Sequence, residues 1–122
     1  MEKKWAEVSV FASLIDARLG KWLTTHHGVG LTEYWALMYL AESPTRELRV
    51  NDLAAKIGLN QSSVTRLLGR LEAKELSLRD TCHHDGRGVF AVTTNKGQEL
   101  LDSASAALRE EVERLPLLHI ST

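Results

Sequence analysis

Between Glu2 and Thr25, apolar residues fall at Trp5, Val8, Phe11, Leu14, Ile15, Leu19, Trp22 and Leu23. Steps of three and four place them along one stripe of a long amphipathic helix. No proline interrupts it, and Gly20 is its one weak helix former. The stretch TTHHGVG (24–30) breaks the pattern with two glycines and reads as a loop. A second helix is predicted from Thr32, an N-cap following Leu31. It runs through Tyr34, Leu37, Met38, Leu40 and Ala41 and stops before Pro44. A polar turn follows, and Leu48 to Val50 can form a short strand. Asn51 is the expected N-cap of a third helix, Asp52 to Ile57, closed by Gly58 in the left-handed conformation. Asn60 then caps a fourth helix, Gln61 to about Lys74.

On this fourth helix Val64, Leu67, Leu68 and Leu71 form one apolar face. The opposite face holds Ser62, Arg66, Gly69 and Ala73, flanked by Ser63, Thr65 and Arg70. Beyond it the period changes from helical to alternating. Leu76 to Cys82 places Leu76 and Leu78 on one side, and Val89 to Thr93 places Val89, Ala91 and Thr93 opposite Phe90 and Val92. HHDGRG lies between them, and its Asp-Gly step suits a β-hairpin turn. Thr94 caps a fifth helix to about Leu115, with a stripe at Leu100, Leu101, Ala104, Leu108, Val112 and Leu115, and Pro116 ends it. Helix-turn-helix followed by a hairpin is a winged helix. The expected class is mainly α with a small β-hairpin: a winged helix-turn-helix flanked by long N- and C-terminal helices.

Composition narrows this picture little. The 122 residues suffice for one domain, and 43% hydrophobic with 25% charged residues is ordinary for a soluble chain. No apolar run approaches the roughly 18 residues of a membrane helix. The N-terminus MEKKWAEVSV lacks a signal-peptide apolar block, and the single cysteine, Cys82, excludes an internal disulfide. A cytoplasmic protein is expected. The net charge of −1 does not advertise nucleic-acid binding. From Arg49 to Arg87, however, seven basic residues face five acidic ones, so the middle is +2 and the flanks together −3. This permits a basic face.

The chemistry sits on the fourth helix. Unpaired N–H groups and the dipole at a helix start favour phosphate, and close approach needs small polar side chains. Gln61, Ser62, Ser63 and Thr65 meet that need: Gln pairs with adenine, while Ser and Thr serve bases or phosphates. Arg66, one turn in, suits guanine or phosphate, and Arg70 and Lys74 suit phosphate. Arg79 on the following strand belongs with this basic set. Arg87 at the hairpin tip suits a minor groove, whose negative potential attracts guanidinium. Taken singly, each of these is more economically a solvated surface residue. Taken together, after the Asn51…Gly58…Asn60 turn and before a hairpin, they point to DNA.

LTEYWALMYLAE, RVNDLAAKIGLNQSSVTRLLGRLEAKELSLR, DGRG and VTTNKG together resemble the MarR family of transcriptional regulators, over roughly Leu31 to Leu101. The resemblance implies one MarR-like domain over 1–122: dimerisation helices at 2–30 and 95–122, and a DNA-binding lobe at 31–94. It implies a homodimer on a pseudo-palindromic operator, with recognition helices in the major groove and wings in the minor groove. Repression, which needs only promoter occlusion, is the default expectation. Two residues depart from the family pattern: Glu75 stands where a glycine usually follows the recognition helix, and Gly69 lies inside that helix. Many members also carry a further C-terminal helix, whereas only Leu117 to Thr122 remain here.

Family members often respond to a small phenolic or anionic effector, and by position Trp22, His26, His27, Tyr34, Trp35 and Met38 are its candidate contacts. A core role is the blander reading for each. The five histidines include adjacent pairs on loops, without helical H-x3-H or C-x2-C spacing, so no metal is expected. Cys82 falls on the wing, where no redox role is expected. No nucleophile elbow, phosphate loop or catalytic carboxylate pair is present, and Glu110, Glu111 and Glu113 read as a solvated face, so neither an enzyme nor a cofactor is expected. The rival class is a winged-helix protein-interaction module without DNA binding, which the near-neutral charge favours.

Overall fold

A computed structural model describes residues 1–80 and 88–114 of the chain. The elements run α1 (Glu2–His27), α2 (Leu31–Glu42), β1 (Glu47–Arg49), α3 (Val50–Ile57), α4 (Gln61–Ala73), β2 (Ser77–Asp80), β3 (Phe90–Thr93) and α5 (Asn95–Glu113). They group into two compact units, 1–31 with residues from 103 onward, and 32–102. The first half of α5 thus belongs with the helix-turn-helix. The mainly α class with a small sheet agrees with the expected winged helix.

The sheet has three antiparallel strands in the order β1-β3-β2, so the hairpin strands gain a partner from the segment before α3. Glu47 pairs with Val92 and Arg49 with Phe90, while Ser77 pairs with Thr93 and Asp80 with Phe90. Four local readings need correction. α1 continues to His27, where Gly28 (φ 71°) turns the chain and returns its N–H to the Thr24 carbonyl. Within α1 the Thr24 hydroxyl donates back to the Gly20 carbonyl at 2.9 Å. α2 starts at Leu31, which puts Thr32 inside the first turn. α3 starts at Val50, so Asn51 is helical and caps nothing. The Val50 N–H donates to the Val89 carbonyl at 2.9 Å, so the sheet edge does the work of a cap. Leu76 and Leu78 do not share a face: Leu76 is buried and Leu78 is 60% exposed. Leu76 belongs to the turn closing α4, and its N–H donates to the Leu71 carbonyl.

Three expected caps hold. Gly58 is left-handed at φ 79°, Asn60 Oδ1 accepts the Ser63 N–H at 2.8 Å, and Thr94 Oγ1 accepts the Gly97 N–H at 3.0 Å. The core of the second unit is Leu37 and Leu40 of α2, Leu53 of α3, and Val64, Leu67, Leu68 and Leu71 of α4, all fully buried. The predicted apolar face of α4 is therefore the one that packs, which leaves its polar face outward. In the first unit, Leu19 and Leu23 are buried on α1. Trp5, Val8, Val10 and Leu14 on its N-terminal half are each at least 50% exposed.

α4 ends with Glu75 in the left-handed conformation, φ 63°. The Leu76 N–H reaches the Leu71 carbonyl and the Glu75 N–H reaches the Glu72 carbonyl, which is the Schellman arrangement that usually takes glycine. Glu75 faces Lys96 at 3.5 Å, but both side chains are well exposed and the pair contributes little. Glu75→Gly should therefore raise stability by up to about 1 kcal/mol, since relief of the left-handed strain exceeds the entropy glycine adds to the unfolded chain. Urea denaturation of both proteins measures it.

Candidate nucleic-acid interface

The outward face of α4 begins with a cap that organises its polar side chains. Asn60 Oδ1 accepts both the Ser63 N–H and the Ser62 hydroxyl, the latter at 3.0 Å. The Thr65 hydroxyl donates to the Gln61 carbonyl at 2.9 Å. Ser62 and Thr65 thus spend their protons inside the helix and present oxygen lone pairs outward. Gln61, Ser62, Thr65, Arg66 and Arg70 are exposed and Ser63 is half-buried. Arg66 and Arg70 have no ion-pair partner among the described residues. The first two turns therefore offer an amide, hydroxyl acceptors and an available guanidinium beside a helix start, a set that can hydrogen-bond base edges or phosphates.

A cleft of about 330 Å³ opens beside this face. It is lined by Arg49, Asn51, Gln61, Thr65, Arg79 and Gly88, with Val50 and Val89. Arg49 and Asn51 were not among the predicted contacts. The sequence suits Asn51 as a cap, and Arg49 enters because β1 joins the sheet and brings its guanidinium over the Phe90 ring, 5.1 Å from the centroid.

Two predicted basic contacts hold carboxylates instead of standing free. Arg79 Nε and Nη2 donate to Glu72 Oε2 and Oε1 at 2.8 and 2.7 Å. This fork holds the Glu72 carboxyl below its ordinary pKa and raises that of the guanidinium. A depressed carboxylate stabilises the fold above the unfolded-state value, ordinarily 4.5, and the contribution is lost as pH falls through the lower folded value. The difference in thermal midpoint between the parent and Glu72→Gln should accordingly shrink as pH is lowered below about 4.5. Lys74 Nζ donates to both carboxylate oxygens of Glu33, at 2.7 and 3.1 Å, and Glu33 is buried. Lys74→Met should cost about 1–2 kcal/mol by denaturant titration, less than for a fully buried pair because the Lys74 side chain is partly in water. A phosphate approaching Lys74 must compete with the Glu33 carboxylate. Arg87 and Cys82, expected on the wing, lie outside the described residues.

The effector candidates divide between the two units. In the first, the Trp22 ring stacks on His26 at 4.9 Å and meets His27 at 5.4 Å. Trp22 and His26 line a shallow cleft with Arg18, Lys21, Thr25 and Glu111. In the second, Tyr34 is buried in the core, while Trp35 and Met38 line a cleft with Tyr39, Lys56 and Ile57. Among the described residues, no three His, Cys, Asp or Glu side chains gather as a metal site, and no helix is long and apolar enough to cross a membrane.

Comparison with known proteins decides the family. The MarR family model matches residues 27–87, which hold the helix-turn-helix and the first strand of the wing, β2. The DNA-complexed structure of Sco3205, a MarR family transcriptional regulator from Streptomyces coelicolor, is 31% identical over 96% of this chain and 77% of that one, with a TM-score of 0.84. The chain belongs to the MarR family. A second MarR regulator from the same organism, AbsC, is 28% identical over 93% of this chain and 76% of its own, with a TM-score of 0.84. The regulator BldR from Sulfolobus solfataricus, at 24% identity, 91% and 80% coverage and a TM-score of 0.78, shares the fold. These relatives are transcriptional regulators, in keeping with the non-enzymatic reading of the sequence. Within the MarR fold, α3 and α4 form the helix-turn-helix, and the strands after α4 lead into the wing.

Proposed function

We propose that this MarR protein is a homodimeric, sequence-specific DNA-binding transcriptional regulator, acting as a repressor by promoter occlusion and released by a small phenolic or anionic effector. The observation that carries the reading is the outward N-terminal half of α4, with Gln61, Ser62, Thr65 and Arg66 exposed beside a cleft bearing two more arginines. The DNA-complexed relative supports it. In this reading Gln61, Ser62, Ser63, Thr65 and Arg66 enter the major groove, and Arg70, Lys74 and Arg79 face phosphates. Arg87 serves the wing, 2–30 with 95–122 supply the dimer contacts, and 31–94 is the DNA-binding lobe. Trp5, Val8, Val10 and Leu14 support the dimer, because this many exposed apolar side chains on one half of a helix, Trp5 and Val8 on one side and Val10 and Leu14 on the other, is a common mark of an association surface. Trp22 with His26 and Trp35 with Met38 offer ring-stacking walls near cations, which suits an aromatic anion.

The test is a fluorescence-anisotropy titration of labelled duplex DNA at stepped salt, with sedimentation velocity alongside. The expected result is a dimer at micromolar concentration whose affinity falls steeply with salt and is weakened by Arg66→Ala. A stable monomer, or a dimer that retains no DNA at low salt, overturns the reading in favour of a protein-interaction module.

A further inference from the structure

Arg79 is held from one side and open on the other. Its Nε and Nη2 are gripped by Glu72, which projects from the C-terminal half of α4, and Arg79 lines the cleft with Arg49, Asn51, Gln61 and Thr65. A guanidinium has five N–H donors, so the two-bond fork leaves three available. The guanidinium passes close to α4: a Cβ at Gly69 would stand 3.9 Å from Arg79 Nη2, an ordinary contact. Glu72 itself does not line the cleft.

We infer that Glu72 is a positioning residue for DNA binding: its carboxylate presets the Arg79 guanidinium as a phosphate clamp between α4 and the wing strands. This inference rests on the DNA-binding reading above. Two effects of Glu72 oppose each other. Its charge repels a phosphate and partly cancels that of Arg79. Its fork removes the rotamer freedom that a free arginine loses on gripping a phosphate and aims the planar donors. A phosphate in the cleft lies nearer the guanidinium than the carboxylate behind it, so the local field stays positive and preorganisation wins. An acidic residue on a DNA-binding helix therefore strengthens binding.

The test is a double-mutant cycle of full-length dimers on a duplex that the parent protein selects from random-sequence fragments, with Glu72→Gln, Arg79→Gln and the pair. Arg79→Gln is expected to weaken binding about tenfold and to make the log–log salt slope shallower by about 0.9 for each arginine that meets a phosphate. Glu72→Gln is expected to weaken binding about fivefold in the parent, yet to cause no loss in the Arg79→Gln background. A merely structural pair would not move the salt slope. Glu72→Gln binding as tightly as the parent or tighter, or an unchanged slope for Arg79→Gln, overturns the inference. If the parent selects no duplex at all, the DNA-binding reading falls, and this inference with it.

Discussion

Gly97→Ala is expected to lower stability by about 3 kcal/mol, the upper end for overpacking, and the thermal midpoint by about 10 °C. A Cβ at Gly97 runs into the Leu76 backbone carbonyl and comes within 3.2 Å of Leu37 Cδ2. The backbone there cannot retreat, because the same carbonyl accepts the Thr94 N–H at 3.1 Å and the Thr94 hydroxyl donates to the Glu75 carbonyl at 2.8 Å. Trimming Leu37 to alanine should not rescue the variant, since the obstacle is main chain. Gly69 is the internal control. Its Cβ position has only an ordinary contact with Arg79, so Gly69→Ala should stabilise the helix by about 1 kcal/mol. Calorimetry on the two single variants gives opposite signs if the packing is as described.

Gln61→Glu is expected to separate function from stability. Gln61 is the first residue of α4, exposed and on the cleft. The substitution keeps shape, and a carboxylate at a helix start is favourable by about 0.3–1 kcal/mol, so the midpoint should hold or rise slightly. At a base edge or phosphate the new charge removes the amide donor and adds repulsion. Losing a bidentate contact costs about 1–3 kcal/mol per half-site, so in a dimer the affinity should fall by roughly two orders of magnitude. Anisotropy titration beside a thermal melt reads both quantities on one protein. A variant that binds DNA like the parent removes Gln61 from the interface.

The long periodic stretches were readable because burial alone sets their pattern. Val64, Leu67, Leu68 and Leu71 declared the inner face of α4, and its outer face followed by exclusion. Asn60, Gly58 and Thr94 were readable because a cap needs a particular side chain or backbone freedom at one position. What stayed hidden depended on distant partners. Nothing local to Val50 says that its N–H meets Val89, so the local pattern points to a capping role that Asn51 does not have. Glu72 and Arg79 are seven residues apart, and Glu33 and Lys74 forty-one, so the carboxylates that hold two of the predicted DNA contacts were invisible to spacing. Leu76 and Leu78 part because Leu76 still belongs to the turn closing α4 and the strand alternation begins only at Ser77. The MarR resemblance was legible from the motif set, and the family match over 27–87 bears it out. The reason Thr94-x-x-Gly97 must end in glycine became visible only with the Leu76 carbonyl in place.

Selection of bound duplexes from random-sequence fragments by the full-length protein tests the central claim most directly. If the outward half of α4 reads DNA as one of a dimeric pair, the recovered fragments share a pseudo-palindromic motif. Its half-sites lie about one helical turn apart, and Arg66→Ala relaxes the same position in both. Recovery of fragments with no common motif, or none retained at low salt, contradicts it.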